Sequence, residues 1–217
     1  MLIECVILLH GLARTDNSMN VMESKLEESG YYTVNFHYPS RKEVIEELAK
    51  EISLAISHCP KESNKIHFVT HSMGGILLRQ YLQSQQIEKL DRVVMLGPPN
   101  KGSEVVDKLG QYDFVKFLNG PAGLQLGTSS QSIPNSLGAW PQNAGSLGII
   151  AGKQSINLFL SFLIPNKDDG KVSIENTKLE GMREHKVMQT SHPMMMRNSQ
   201  VIEQVINFLK TGSFNKE

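Results

Sequence analysis

The stretch VTHSMGG, Val69–Gly75, closes an apolar run that starts at Ile66 and opens directly onto ILLRQYL, Ile76–Leu82. A serine between an expected strand and an expected helix, with two glycines behind it, fits two uses. Glycine lets a helix begin close against a strand. In the pattern G-x-S-x-G, a tight strand-to-helix turn also holds the serine in a strained conformation and exposes its Oγ above the sheet. Ser72 and Gly74 fit that pattern, while Thr70 stands at its first glycine.

Outward from this turn, short apolar runs alternate with helical patterns, which predicts an α/β fold with a mainly parallel sheet. The expected strands are 3–9, 32–37, 65–70, 92–96, 147–152 and 185–190. Helices are expected over 18–29, ending at Gly30, and after Ser72. A further helix is expected behind a capping box of Ser40 and Glu43, with Val44, Ile45, Leu48, Ile52 and Ile56 on one face. The last, over 199–210, turns Val201, Ile202, Val205, Ile206 and Leu209 inward and closes at Gly212. The 217 residues suffice for one domain, and no linker or charge block divides them. Residues 101–146 break the rhythm: they are rich in Gly, Ser, Asn and Pro, with a weak helical signal around 105–118. A stretch this long inside a compact domain reads as a lid, a binding loop or a small cap.

Lysines and arginines number 22, as do aspartates and glutamates, and no basic stripe is present. That balance speaks against nucleic acid or an anionic membrane surface and for a small, uncharged partner. Cys5 and Cys59 lack metal-ligand spacing; a disulfide between them is possible but not indicated. The N-terminal MLIECVILLHG has no basic region and no small-residue cleavage site, so the expected setting is the cytoplasm, although a processed secreted chain would look the same. No apolar run is long enough to span a bilayer; INLFLSFLI, 156–164, is about half the required length. That run reads either as a buried helix or loop or as a wall for an acyl chain. Oligomeric state is not legible.

Acyl transfer needs a nucleophile, a base, a carboxylate to orient the base, and N–H donors for the oxyanion. Ser72 supplies the first. VILLHGLART ends its strand at His10-Gly11, where the backbone N–H of Leu12 can turn toward the same site, and Met73 follows the serine as a second donor. KDDGKVS places Asp168 and Asp169 after a strand, and TSHPMMM places His192 just beyond the last strand. Taken singly, each has a plain structural reading as a turn or loop residue. Taken together, they fall in a consistent order at the carboxyl ends of expected parallel strands, where open α/β sheets place their sites.

In these segments the chain resembles the α/β-hydrolases, and in particular the small bacterial serine lipases and esterases. LLHGL matches the oxyanion strand, HSMGG the serine turn, DDGKVS the acid loop and SHPMMM the histidine loop, in the family order Ser, Asp, His. The resemblance implies a minimal, mainly parallel six-stranded sheet with helices on both faces. The chain begins at the strand that members usually count as their third, which implies the absence of the two leading antiparallel strands. It further implies a carboxylic ester hydrolase with catalytic Ser72, His192 and Asp169, an oxyanion hole at Leu12 and Met73, no cofactor and no metal. The substrate would be a small ester with an apolar acyl group. Thioesterase, amidase or acyltransferase activity, or a catalytically silent binding protein, fit the same letters.

Asp169 rather than Asp168 is expected to be the acid, because it immediately precedes Gly170; its neighbour is expected to be solvated. His10 and Asn100, the latter in the loop GPPNKGS (97–103), are candidate substrate contacts. His71 is expected to project away from Ser72, and His185, the rival base, to fall at the wrong end of the sheet. His67 and His71 lie four apart on a strand, about 13 Å, too far to share a metal. Met194–Met196 are expected to pack under the histidine loop.

Overall fold

A computed structural model describes residues 2–155, 164 and 166–215. Six strands, β1 (Ile3–Leu9), β2 (Tyr32–Phe36), β3 (Ser63–His71), β4 (Leu90–Leu96), β5 (Ser146–Gly152) and β6 (Glu184–Met188), form one sheet in the order β2-β1-β3-β4-β5-β6. Every pairing in it is parallel. The inner strands read as continuous apolar runs because both faces are covered: Cys5 to Leu9 of β1 are all buried.

The helices that cover them are α1 (Asn20–Glu28), α2 (Ile45–Lys50), α3 (Ile52–Ser57), α4 (Met73–Tyr81), α5 (Glu104–Leu109), α6 (Asp113–Leu124), α7 (Ile133–Ser136), α8 (Ile174–Thr177) and α9 (Ser199–Thr211). One face carries α2, α3 and α4, through Leu48, Ile52, Ile76 and Leu77 against Ile7, Phe68 and Val93. The other carries α1 and α9, through Met22, Leu26, Val205 and Phe208 against Val6, Leu8 and Val94. Each such side chain, fully removed from water, contributes roughly 1.5–3 kcal/mol before entropy is counted. The last helix forms as its stripe predicts, capped by the Asn198 side chain and stopped by Gly212 at φ 80°.

One expectation is corrected, and two features the sequence left open are settled. The capping box is not formed: α2 begins at Ile45, whose N–H donates to Gln125 Oε1 (2.7 Å), and Ser40 is used elsewhere. Residues 101–146 hold three helices, one kinked at Gly120 (φ 65°), where a weak helical signal was expected. Short helices in Gly- and Pro-rich sequence draw their stability from tertiary contacts, which periodicity does not report. Cys5 and Cys59 are bonded to each other, joining β1 to the end of α3. Closing 54 residues of chain is worth about 4 kcal/mol on the loop-entropy scale. Reduction is therefore expected to lower the melting temperature by at least several degrees; a melting curve unmoved by dithiothreitol, with both thiols alkylated afterwards, would contradict this. The run 156–163 lies outside the described residues, so the acyl-wall reading of it stays an expectation.

The chain steps from β1 outward to β2 and then back across to β3, so the sheet order reverses between β1 and β3. The crevice at the carboxyl ends of those two strands is where open α/β sheets bind ligands. Leu12 follows β1 and Ser72 follows β3 there.

Candidate active site

Ser72 sits between β3 and α4 at φ 53°, ψ −121°, a conformation that costs a non-glycine residue about 1–3 kcal/mol. Its N–H donates to Leu96 O (2.8 Å), tying the turn to β4. The turn closes because the residues behind it lack side chains. A Cβ on Gly74 would lie 2.8 Å from Leu9 O and 2.9 Å from His10 O, and one on Gly75 would lie 3.2 Å from Thr70 Oγ1. The buried Thr70 thus occupies space that Gly75 leaves open, which is the physical reason a threonine is tolerated at the first glycine of the pattern.

Beyond β6, His192 and Asp169 meet. Nδ1 of His192 is 2.7 Å from Asp169 Oδ2, and both residues are almost wholly buried. Asp169 Oδ1 accepts the N–H groups of Lys171 (3.0 Å) and Val172 (2.9 Å), and its carbonyl accepts the N–H of His192 (2.9 Å). The carboxylate is thereby held from both sides. Gly97, at φ 53°, leaves the pair room: a Cβ there would lie 3.0 Å from Asp169 Oδ2. Asp168 departs from expectation. It is buried rather than solvated, with Oδ1 accepting the N–H of Gly170 (2.6 Å), so it shapes the turn that presents its neighbour.

Ser72 and His192 face one cavity of about 260 Å³. Leu12 and Val172 line it together with Pro99, Val105, Val106, Leu109 and Leu126, the last five from the segment that follows β4. Leu12 comes from a loop whose Ala13 sits at φ 54° with its N–H donated to Ser40 Oγ (3.1 Å). Met73 is the first residue of α4, and the first amides of a helix have no acceptor within it.

The structure does not place His10 or Asn100 among the residues lining the cavity. His10 stacks on Tyr38 (ring centroids 4.0 Å apart), donates its Nδ1–H to Gly11 O (2.9 Å), and its carbonyl accepts the Tyr38 hydroxyl. Asn100 accepts from the buried Arg79 at both its carbonyl and Oδ1 and donates to Thr177 O (2.8 Å). Burial pushes Arg79 down to about 10, so it remains a cation, satisfied by carbonyls that include Pro134 O and Gly138 O. His185 lies at the start of β6 with Nε2 2.8 Å from Thr177 Oγ1. Of the three methionines, Met195 and Met196 are buried and Met194 is half exposed.

His71 is a residue that sequence reasoning left out of the site. It lines the cavity, its Nε2 lies 3.0 Å from His192 O, and the two rings stand 4.7 Å apart. It shares the cavity with Ser72, and the histidine loop lies over it. Burial, then the neighbouring His192, holds its pKa well below the ordinary histidine value. Burial also lowers His10 and His67. An unfolded chain takes up protons at these sites below about pH 6.5 that the folded chain refuses, so the unfolded state binds more protons there and stability falls with pH. The melting temperature is expected to drop steadily from pH 7 to pH 5; a constant or rising value over that window would contradict the neutral, buried assignment.

Solved structures share this architecture. The mature form of the Bacillus licheniformis lipase BlEst2 superposes with a TM-score of 0.68 at 16% identity, over 96% of this chain and 91% of that one. The metagenomic carboxyl esterase MGS0156 gives 0.67 at 18%, over 87% and 64%. The product of the Listeria innocua gene lin2722 gives 0.63 at 16%, over 100% and 96%. No curated protein matches the chain in sequence. A parallel six-stranded sheet with helices on both faces and this serine turn after its third strand make the chain an α/β-hydrolase. Within that class it belongs to the palmitoyl protein thioesterase family, whose model matches residues 5–136, more than half of the chain. The matched part holds Leu12, Ser72 and Met73; Asp169 and His192 lie beyond it.

Proposed function

We propose that the chain hydrolyses carboxylic esters with an apolar acyl group through an acyl-enzyme, using Ser72, His192 and Asp169. The observation that carries this reading is the buried 2.7 Å contact between His192 Nδ1 and Asp169 Oδ2, beside the cavity that the strained Ser72 faces. That contact directs Nε2 of His192, the remaining ring nitrogen, to act as base. Ser72 Oγ attacks the carbonyl carbon as its proton passes to His192. The carboxylate of Asp169 stabilises the imidazolium, and the N–H groups of Leu12 and Met73 hold the oxyanion. His192 then returns the proton to the departing alcohol, and water repeats the sequence on the acyl-enzyme. No step calls for a cofactor.

Residues 101–146 act in this account as the wall over the acyl chain. A cavity of about 260 Å³ lies at the small end of small-molecule sites. Across nitrophenyl esters of rising chain length, kcat/KM is expected to peak at short to medium acyl groups and fall for long ones. A monotonic rise to the longest ester would contradict the cavity as acyl site, and no turnover of any ester would favour a silent binding protein.

The family match favours a second reading, in which the bond cleaved is a thioester. Offering one acyl group as oxygen ester and as thioester decides between them through the ratio of kcat/KM. No helix among the described residues is long and apolar enough to cross a membrane. The expected cytoplasmic setting stands against the Cys5–Cys59 bond, since disulfides persist in oxidising compartments.

A further inference from the structure

The charge balance of the whole chain hides a local imbalance. Arg14 and Lys171 line the cavity that Ser72 and His192 face, and Arg14 continues into an adjoining groove with Arg41, Lys42 and Phe117. Among the described residues, no aspartate or glutamate lines either depression, in a chain with as many acids as bases. Among the described residues, none of these four cationic side chains has a hydrogen-bond or ion-pair partner. The acids nearby are already engaged: Asp169 holds His192, and Asp16 pairs with His37 at 3.0 Å. Arg14 and Lys171 lie close enough to act on the same groups. Both depress the buried His71, after burial itself and His192; Lys171 is lowered by desolvation first and then by Arg14, against a raising effect of Asp169, and the solvent Lys171 still meets screens these effects.

Like charges gathered at a site entrance repel one another and focus field on an incoming anion. Arg14 lies two residues past Leu12 and Lys171 two past Asp169, whereas the apolar wall of Val105, Val106, Leu109 and Leu126 offers the acyl chain its place. We propose that the ester's leaving group carries a phosphate, bound by Arg14 and Lys171 with Arg41 and Lys42 in the adjoining groove, while the acyl chain lies on the apolar wall. Two guanidinium forks and two ammonium groups suit the oxygens of a phosphate better than the two of a carboxylate. This rests on the hydrolase reading above and adds the class of its substrate. A soluble acyl phosphoester and a phospholipid headgroup present the same chemistry.

The test compares kcat/KM for hexanoyl glycerol and hexanoyl glycerophosphate, with nitrophenyl butyrate as the reference for hydrolysis itself. The phosphate ester is expected to be preferred by about tenfold at low salt, the scale of a few partly exposed charge contacts. That ratio should fall toward one at about 1 M salt, where screening reaches about 3 Å. Arg14→Gln and the double change Arg41→Gln with Lys42→Gln should each lower the ratio about threefold, and Arg14→Lys should keep most of it. Phosphatidic acid vesicles form a second arm: faster cleavage there than of the soluble ester assigns the phosphate to a lipid, and slower cleavage assigns it to a soluble ester. A ratio of one or less while nitrophenyl butyrate is cleaved overturns the phosphate proposal alone. Should nitrophenyl butyrate not be cleaved, the hydrolase reading fails, and hexanoyl glycerophosphate binding to the Ser72→Ala variant still decides the phosphate site: binding no tighter than that of hexanoyl glycerol overturns it.

Discussion

Ser72→Ala is expected to lower ester turnover by about a million-fold, the scale on which a serine triad loses its nucleophile. The variant should melt within a degree or two of the native chain, because Ser72 makes its structural contact through its backbone N–H to Leu96 O and alanine keeps that bond. His192→Ala should cost a similar factor, and the two changes together little more, since nucleophile and base act as one unit. His185→Ala serves as the control, its ring being engaged with Thr177 on the far side of β5 from the serine turn. Retained turnover in Ser72→Ala, or its loss in His185→Ala alone, would contradict the assignment.

Asp169→Asn is expected to lower turnover by about 10⁴-fold while leaving KM nearly unchanged. The amide still fills the space and can accept the N–H groups of Lys171 and Val172, but it neither stabilises the imidazolium nor fixes the tautomer that leaves Nε2 free. Asp168→Asn retains the Oδ1 acceptor for the N–H of Gly170 and should change turnover by a few-fold at most. The reverse pattern would refute the choice between the adjacent aspartates. Equal, modest losses in both would pass the role to another carboxylate, although Glu175, the nearest candidate by sequence, is engaged with Lys178 at 2.8 Å.

Ser72 and His192 were legible as candidates because each follows a parallel strand with a turn signal, and such strands bring their carboxyl ends to one edge of the sheet; Asp169 was a candidate through the DDG turn itself. The strands themselves were legible from the alternation of short apolar runs with helical patterns, within one or two residues at most ends. What was not legible depended on partners far away in sequence. Ser40 reads locally as a helix cap, but its hydroxyl receives the N–H of Ala13, 27 residues earlier, and the cap of α2 comes from Gln125. The bond between Cys5 and Cys59 needs the β1–α3 distance, which spacing does not give. Alternation along β3 did not show that the loop carrying His192 folds over His71. Arg14 and Lys171 sit in separate loops with no motif between them, so only the assembled cavity brings their charges together.

The central claim is that Ser72 is the nucleophile, and a fluorophosphonate probe tests it most directly. Labelling the native chain and mapping the adduct by mass spectrometry should place a single modification on Ser72, lost in Ser72→Ala and strongly slowed in His192→Ala. An adduct on any other serine, or none on a folded native chain, would contradict it.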